Sequence, residues 1–171
     1  MNRVYLSLGS NIDPETHIRG AIAALSARYG RLIISPVYQT PAVGFNGDDF
    51  YNLVVGLDTD ESVETLAAAC REIEKSQGRQ RSDQRFSART LDIDPLTVGT
   101  IIREHNPMLP RDEILKYAFV LRPLADIAAD ERHPSDGRTY GEIWAEPGTQ
   151  LIGHEGFKSV TIDFSADIAA P

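Results

Sequence analysis

The stretch Arg89-Thr90-Leu91-Asp92-Ile93-Asp94 sets the reading of everything around it. Alternate residues of a strand share a face, so Asp92 and Asp94 project together while Leu91 and Ile93 turn to the opposite side. Two carboxylates on one face repel, and a cation between them relieves the repulsion. Magnesium suits such a pair, because it takes one or two carboxylates and completes its shell with phosphate oxygens and water. Two solvated acids on an exposed strand are the alternative.

The residues just before the pair favour the cation. Arg79, Arg81, Arg85 and Arg89 crowd into eleven positions of a chain whose formal net charge is -8. Guanidinium forks match phosphate oxygens bidentately. A polyphosphate bridging metal and arginines satisfies both sets of charges, which points to electrostatic stabilisation of phosphoryl-type transfer. The bland alternative is a solvated basic loop balanced by Asp83. Neither a GxxxxGK[ST] loop nor a kinase-type GxGxxG is present, and Gly9-Ser10-Asn11 is by itself a weak signal.

Toward the N-terminus, Val4 to Leu8 reads as a strand closed by the Gly9-Ser10-Asn11 turn, and Asp13-Pro14 opens a helix with Ile18, Ile22 and Leu25 on one face and Gly30 past its end. Leu32 to Val37 is strand-like, Thr40 to Gly47 is a loop, and Phe50 to Leu57 is a strand. Ser62 caps a second helix that ends near Gly78 and carries Cys70 as a buried small residue. After the arginine-rich loop, Thr90 to Val98 is a strand, with Ile101 to Arg103 expected to pair with it through Gly99-Thr100. Pro95 cannot donate a ladder hydrogen bond, which puts an edge or a bulge there.

A short helix is expected at Arg111 to Lys116, an apolar segment at Ala118 to Leu121, a separate helical turn at Pro123 to Ala128, and a last helix at Tyr140 to Ala145 with Trp144 as packing anchor. The order predicts an α+β, ferredoxin-like sandwich, with two helices covering one face of a mainly antiparallel sheet. Residues 1–147 form the domain, and residues 148–171 form an extension in which Val160, Ile162 and Phe164 alternate like an edge strand that pairs with the sheet or lies loose.

At 171 residues and 42% hydrophobic content the chain suits one domain. Its acidity argues against a general nucleic-acid or anionic-membrane surface. With no apolar leader and no long apolar run, the expectation is a cytoplasmic protein, monomer or weak homodimer, acting on small molecules. One cysteine rules out an intramolecular disulfide or a cysteine-rich zinc site, and His17, His105, His133 and His154 lack ligand spacing and read as surface or capping residues.

Several ordered motifs together resemble the 6-hydroxymethyl-7,8-dihydropterin pyrophosphokinases of folate biosynthesis: YLSLGSN at Tyr5 to Asn11, YQTPAVG at Tyr38 to Gly44, FYN at Phe50 to Asn52, EKSQGRQR at Glu74 to Arg81, RTLDID at Arg89 to Asp94 and FVLRPLADI at Phe119 to Ile127. The resemblance implies magnesium-dependent transfer of the β,γ-pyrophosphate of ATP to the pterin hydroxymethyl group, giving AMP. It implies two magnesium ions on Asp92 and Asp94, with Arg79 and Arg89 engaging the phosphates beside them as catalytic groups. Arg81 and Arg85 would be mobile-loop cations, and Glu74 would face the nucleotide. Asn52 would bind the pterin ring, Phe50 and Phe119 would sandwich it, and Thr40 and Val43 would offer backbone groups to its edge. For the two phenylalanines, ordinary core packing is the competing reading.

The resemblance is incomplete at four positions. Arg111 follows Pro110 where the family usually has histidine, and would keep a cation for ATP there. Tyr117 replaces an arginine that usually helps hold phosphate, Pro95 replaces an aliphatic residue, and Phe86 replaces a common tryptophan. A diverged paralogue with another acceptor, or a nucleotide- or pterin-binding module without turnover, are the alternatives.

Overall fold

Asn2–Ser10 forms β1, the strand on which the molecule is organised. The computed structural model describes residues 1–78, 90–147, 149 and 151–168. Helix α1, Pro14–Tyr29, follows β1, with Pro14 at its first turn, where a missing N–H costs nothing, and Gly30 at its end. Two short strands come next, β2 at Ile33–Ile34 and β3 at Val37–Thr40, then the long β4 at Phe50–Thr59. The Ser62 hydroxyl accepts from the Thr65 amide to start α2, Val63–Ser76. Strand β5 covers Asp92–Val98, and β6 covers Lys158–Val160.

The strands lie in the order β5-β1-β4-β3-β6, with β2 also pairing β4, and every pairing is antiparallel. The two β-α-β halves place β1 and β4 at the centre, which is the ferredoxin-like arrangement expected. Strand β5 is an edge, and its register against β1 slips where Leu6 faces Pro95 and Tyr5 faces Thr97. Pro95 therefore sits at both an edge and a bulge, the two places where its missing donor is tolerated.

Alternation sorts the side chains into two cores. Val4, Leu6 and Leu8, with Leu53, Val55, Leu57 and Ile93, pack on Ile18, Ile22 and Leu25 of α1 and on Leu66, Cys70 and Ile73 of α2. Tyr5, Val54 and Leu96 point the opposite way, toward α3, Ala118–Ala128, and α4, Tyr140–Ala145. The sheet is thus covered on both faces, where the sequence indicated one.

Three local expectations are corrected. Ile101 to Arg103 does not form a hairpin with β5; Arg103 instead exchanges backbone hydrogen bonds with Leu109, at 2.7 and 3.0 Å. The expected helix at Arg111 to Lys116 is a 3-10 turn, Asp112–Leu115. Ala118 to Leu121 and Pro123 to Ala128 are one helix that runs through Pro123. A proline inside a helix costs about 3 kcal/mol, and burial of Val120, Leu121, Leu124 and their small neighbours against the sheet offsets it.

The last segment joins the fold. Strand β6 pairs with β3, and Phe164 is buried in the core beneath α1. Among the described residues no helix is long and apolar enough to cross a membrane.

Candidate active site

One row of the sheet brings several of the expected site residues together. Asp92 on β5 pairs with Gly9 on β1, Gly9 pairs with Asn52 on β4, and Asn52 pairs with Tyr38 on β3. Directly paired residues of antiparallel strands share a face, so Asp92, Asn52 and Tyr38 all project toward the α3 side. Asp94, which pairs with Ser7, and Phe50, which pairs with Thr40, lie on that same face. With no side chain at Gly9, the sheet between Asp92 and Asn52 is a bare saddle. A Cβ added to Gly9 would stand 3.0 Å from Asn52 Oδ1.

At one end of the saddle, burial and the neighbouring Asp92 carboxylate push Asp94 well above the usual carboxylate range, and Arg111 opposes them only in part. Arg111 Nη1 lies 3.7 Å from Asp94 Oδ1, and its Nη2 donates to Glu113 at 2.9 Å. The Arg111 amide donates to the Leu96 carbonyl at 2.8 Å, which fixes this cation beside the β5 bulge. Burial works against the Arg111 charge, but Asp94 and Glu113 hold it protonated.

Divalent magnesium fits this end, where two carboxylates share one face and burial disfavours the charge of Asp94. No cluster of three or more His, Cys, Asp or Glu side chains able to hold a metal exists among the described residues. Two carboxylates that leave the remaining positions to phosphate and water match the preference of magnesium over that of zinc.

Glu74 is 1% exposed, and its Oε2 accepts from the Ile93 amide at 2.8 Å. That contact ties α2 to the outer edge of β5 between the two aspartates, a strand-holding role that the sequence did not disclose. The expectations for Arg79, Arg81, Arg85, Phe86 and Arg89 lie outside the described residues.

At the other end, Asn52 is buried, and its Nδ2 donates to the Thr40 hydroxyl at 2.7 Å, which orients the amide. Phe50 and Phe119 are each half-buried, with Phe45 edge-on to Phe50 at 6.2 Å between ring centroids. Tyr117 stacks on Phe119, centroids 5.0 Å apart and planes 21° from parallel. The residue that stands in for an arginine therefore supports the ring of Phe119. A Tyr-x-Phe pair entering a helix from extended backbone was the available signal, and its phosphate-site context masked it.

The site as a whole holds a cation-ready acid pair and an amide flanked by aromatic rings, joined by a glycine saddle. The profile of the 7,8-dihydro-6-hydroxymethylpterin-pyrophosphokinase (HPPK) family matches residues 5–129. The chain belongs to this family.

Among curated relatives, the 2-amino-4-hydroxy-6-hydroxymethyldihydropteridine pyrophosphokinase of Methylorubrum extorquens is 38% identical over 135 residues, 76% of this chain and 85% of the relative. The Pseudomonas aeruginosa enzyme of the same name is 40% identical over 154 residues, 85% of this chain and 91% of the relative. Of solved structures, Plasmodium falciparum HPPK-DHPS superposes with a TM-score of 0.63 at 14% identity, covering 82% of this chain and 42% of that chain. That likeness supports the ferredoxin-like fold. Membership of the family makes the chain an ATP-using diphosphotransferase of folate biosynthesis.

Proposed function

We propose that the Asp92-Gly9-Asn52 row is where the β,γ-pyrophosphate of ATP meets the hydroxymethyl group of 6-hydroxymethyl-7,8-dihydropterin, leaving AMP. The carrying observation is the register itself. Two interstrand spacings separate the acid end from the amide end, about 10 Å in all, a span that suits a bicyclic ring with a one-carbon arm.

At the amide end, Asn52 held by Thr40 reads the edge of the pterin, and the backbone at Thr40 and Val43 adds to that reading. Phe50 and Phe119 cover the two ring faces, which gains apolar burial and π contact together. At the acid end, Asp92 and Asp94 would hold two magnesium ions, whose chemistry is to neutralise phosphate charge and to lower the pKa of the acceptor hydroxyl.

Arg111 sets a fixed cation beside the phosphates, and Arg79, Arg81, Arg85 and Arg89, which precede Asp92 in the sequence, are further candidates to bind them. Glu74 keeps β5 in place so that both aspartates stay on one face. The acceptor hydroxyl belongs to the substrate, so no protein nucleophile is needed, and the protein acts by positioning and charge neutralisation. The net charge of -8 supports small-molecule substrates over nucleic acid or an anionic membrane.

Calorimetric titration of the pterin into protein saturated with magnesium and a non-hydrolysable ATP analogue tests the shared site. The expected result is one tight pterin site that Asn52→Ala weakens selectively. Equal loss of nucleotide and pterin binding in that variant contradicts the assignment.

A further inference from the structure

Resting on the pterin reading above, we propose that Leu151 to Phe157, beyond the family-matched residues 5–129, forms the outer wall of the acceptor subsite, with Gly153 setting its clearance. The segment is fixed at several points. The Ile152 amide donates to the Lys116 carbonyl at 2.8 Å, and the Ile152 carbonyl accepts from the Ala118 amide at 2.9 Å. Leu151 is buried with the α3 core. Further along, His154 stacks on Trp144 at 5.1 Å between centroids, and Phe157 packs on Tyr38 at 5.4 Å before β6 joins the sheet.

Bonding on both sides of Ile152 places Gly153 against the pterin end. A Cβ built on Gly153 would lie 3.5 Å from Phe119 Cδ1 and 3.9 Å from Val43 Cγ2. Phe119 and Val43 come from α3 and from the loop after β3, and both are assigned to the acceptor. A side chain at residue 153 therefore grows along the edge of the Phe119 ring and toward Val43. Gly153 has a φ of +81°, a backbone region that suits glycine and, among other residues, asparagine best. Small size at this position keeps the gap open. The wall contributes shape and apolar contact, so its effect falls on the pterin and not on ATP.

The test titrates full-length wild type, Gly153→Asn and Gly153→Ala with magnesium-ATP and, after saturation with magnesium and a non-hydrolysable ATP analogue, with 6-hydroxymethyl-7,8-dihydropterin, and records thermal midpoints. Gly153→Asn is expected to weaken pterin binding about tenfold, the scale of a small volume change in an apolar pocket, with ATP affinity within about twofold. Gly153→Ala should show a smaller loss of the same selectivity, and it decides the question if the asparagine variant does not fold. Unchanged pterin affinity, or equal loss of both ligands, overturns the wall. Wild type that binds no pterin overturns the functional reading and the wall together.

Discussion

Asp92 and Asn52 lie two strands apart in one row of the sheet with only Gly9 between them, so an acid pair and a neutral amide face one uncovered strip of backbone. The proposed division of labour along that strip predicts that the two ends are separable by mutation.

Asp92→Asn and Asp94→Asn are expected to cut turnover by about three orders of magnitude, the scale for losing metal or preorganised electrostatic stabilisation. Without magnesium, Asp94→Asn should melt no lower than wild type, because burial and Asp92 already disfavour the Asp94 charge. Thermal unfolding in a chelator checks this. A large drop in midpoint would make Asp94 a structural residue.

Asn52→Ala should raise the pterin Kd by roughly ten- to a hundredfold, as expected for a buried polar group deprived of its partner, with ATP affinity little changed. Thr40→Val removes only the oxygen that orients the amide and should cost about threefold to fivefold. Titration calorimetry ranks the two. The reverse order would mean that the Thr40 side chain, not Asn52, reads the ligand.

Tyr117→Ala strips one face of Phe119, and the lost aromatic pair corresponds to about a fivefold rise in pterin KM with kcat nearly unchanged. Tyr117→Phe keeps the stack and should behave as wild type. Equal defects in both variants would point to the hydroxyl instead of the ring.

These assignments were unevenly legible in the sequence. The acid pair could be read directly, since period-two alternation around Asp92 and Asp94 survives in β5. Pro95 announced its edge and bulge, because a proline's missing donor restricts where it can sit. Gly9 misled: it read as part of the turn closing the first strand, whereas it lies inside β1 and owes its importance to the residues paired with it on either side, and pairing is a tertiary fact. Pro123 misled, since local propensity breaks a helix there and only burial against β3 and β4 overrides it. The stacking of Tyr117, the Glu74 contact to Ile93 and the approach of Gly153 to Phe119 all depend on contacts between segments distant in sequence or on side-chain directions, which periodicity does not encode.

His133 makes stability depend on pH. It is 3% exposed, and its Nδ1 accepts from the amides of Ser135 and Asp136 at 3.2 and 2.9 Å. Burial lowers its pKa, so the folded protein holds the neutral ring while the unfolded chain takes up a proton near pH 6.5. Its contribution is complete above the unfolded pKa and declines as pH falls below it, toward the folded pKa. His133→Asn retains an acceptor at the same reach and should flatten the fall in melting temperature between about pH 7.5 and 5.5. Parallel curves for the two proteins would assign the pH dependence to other groups.

Movement of a pyrophosphate between ATP and a pterin across the Gly9 saddle has a direct chemical signature. Protein mixed with magnesium, ATP and 6-hydroxymethyl-7,8-dihydropterin should form AMP and the pterin diphosphate in equal amounts, with none formed when the pterin is withheld. Production of ADP, or the absence of any pterin-dependent product, would contradict the account.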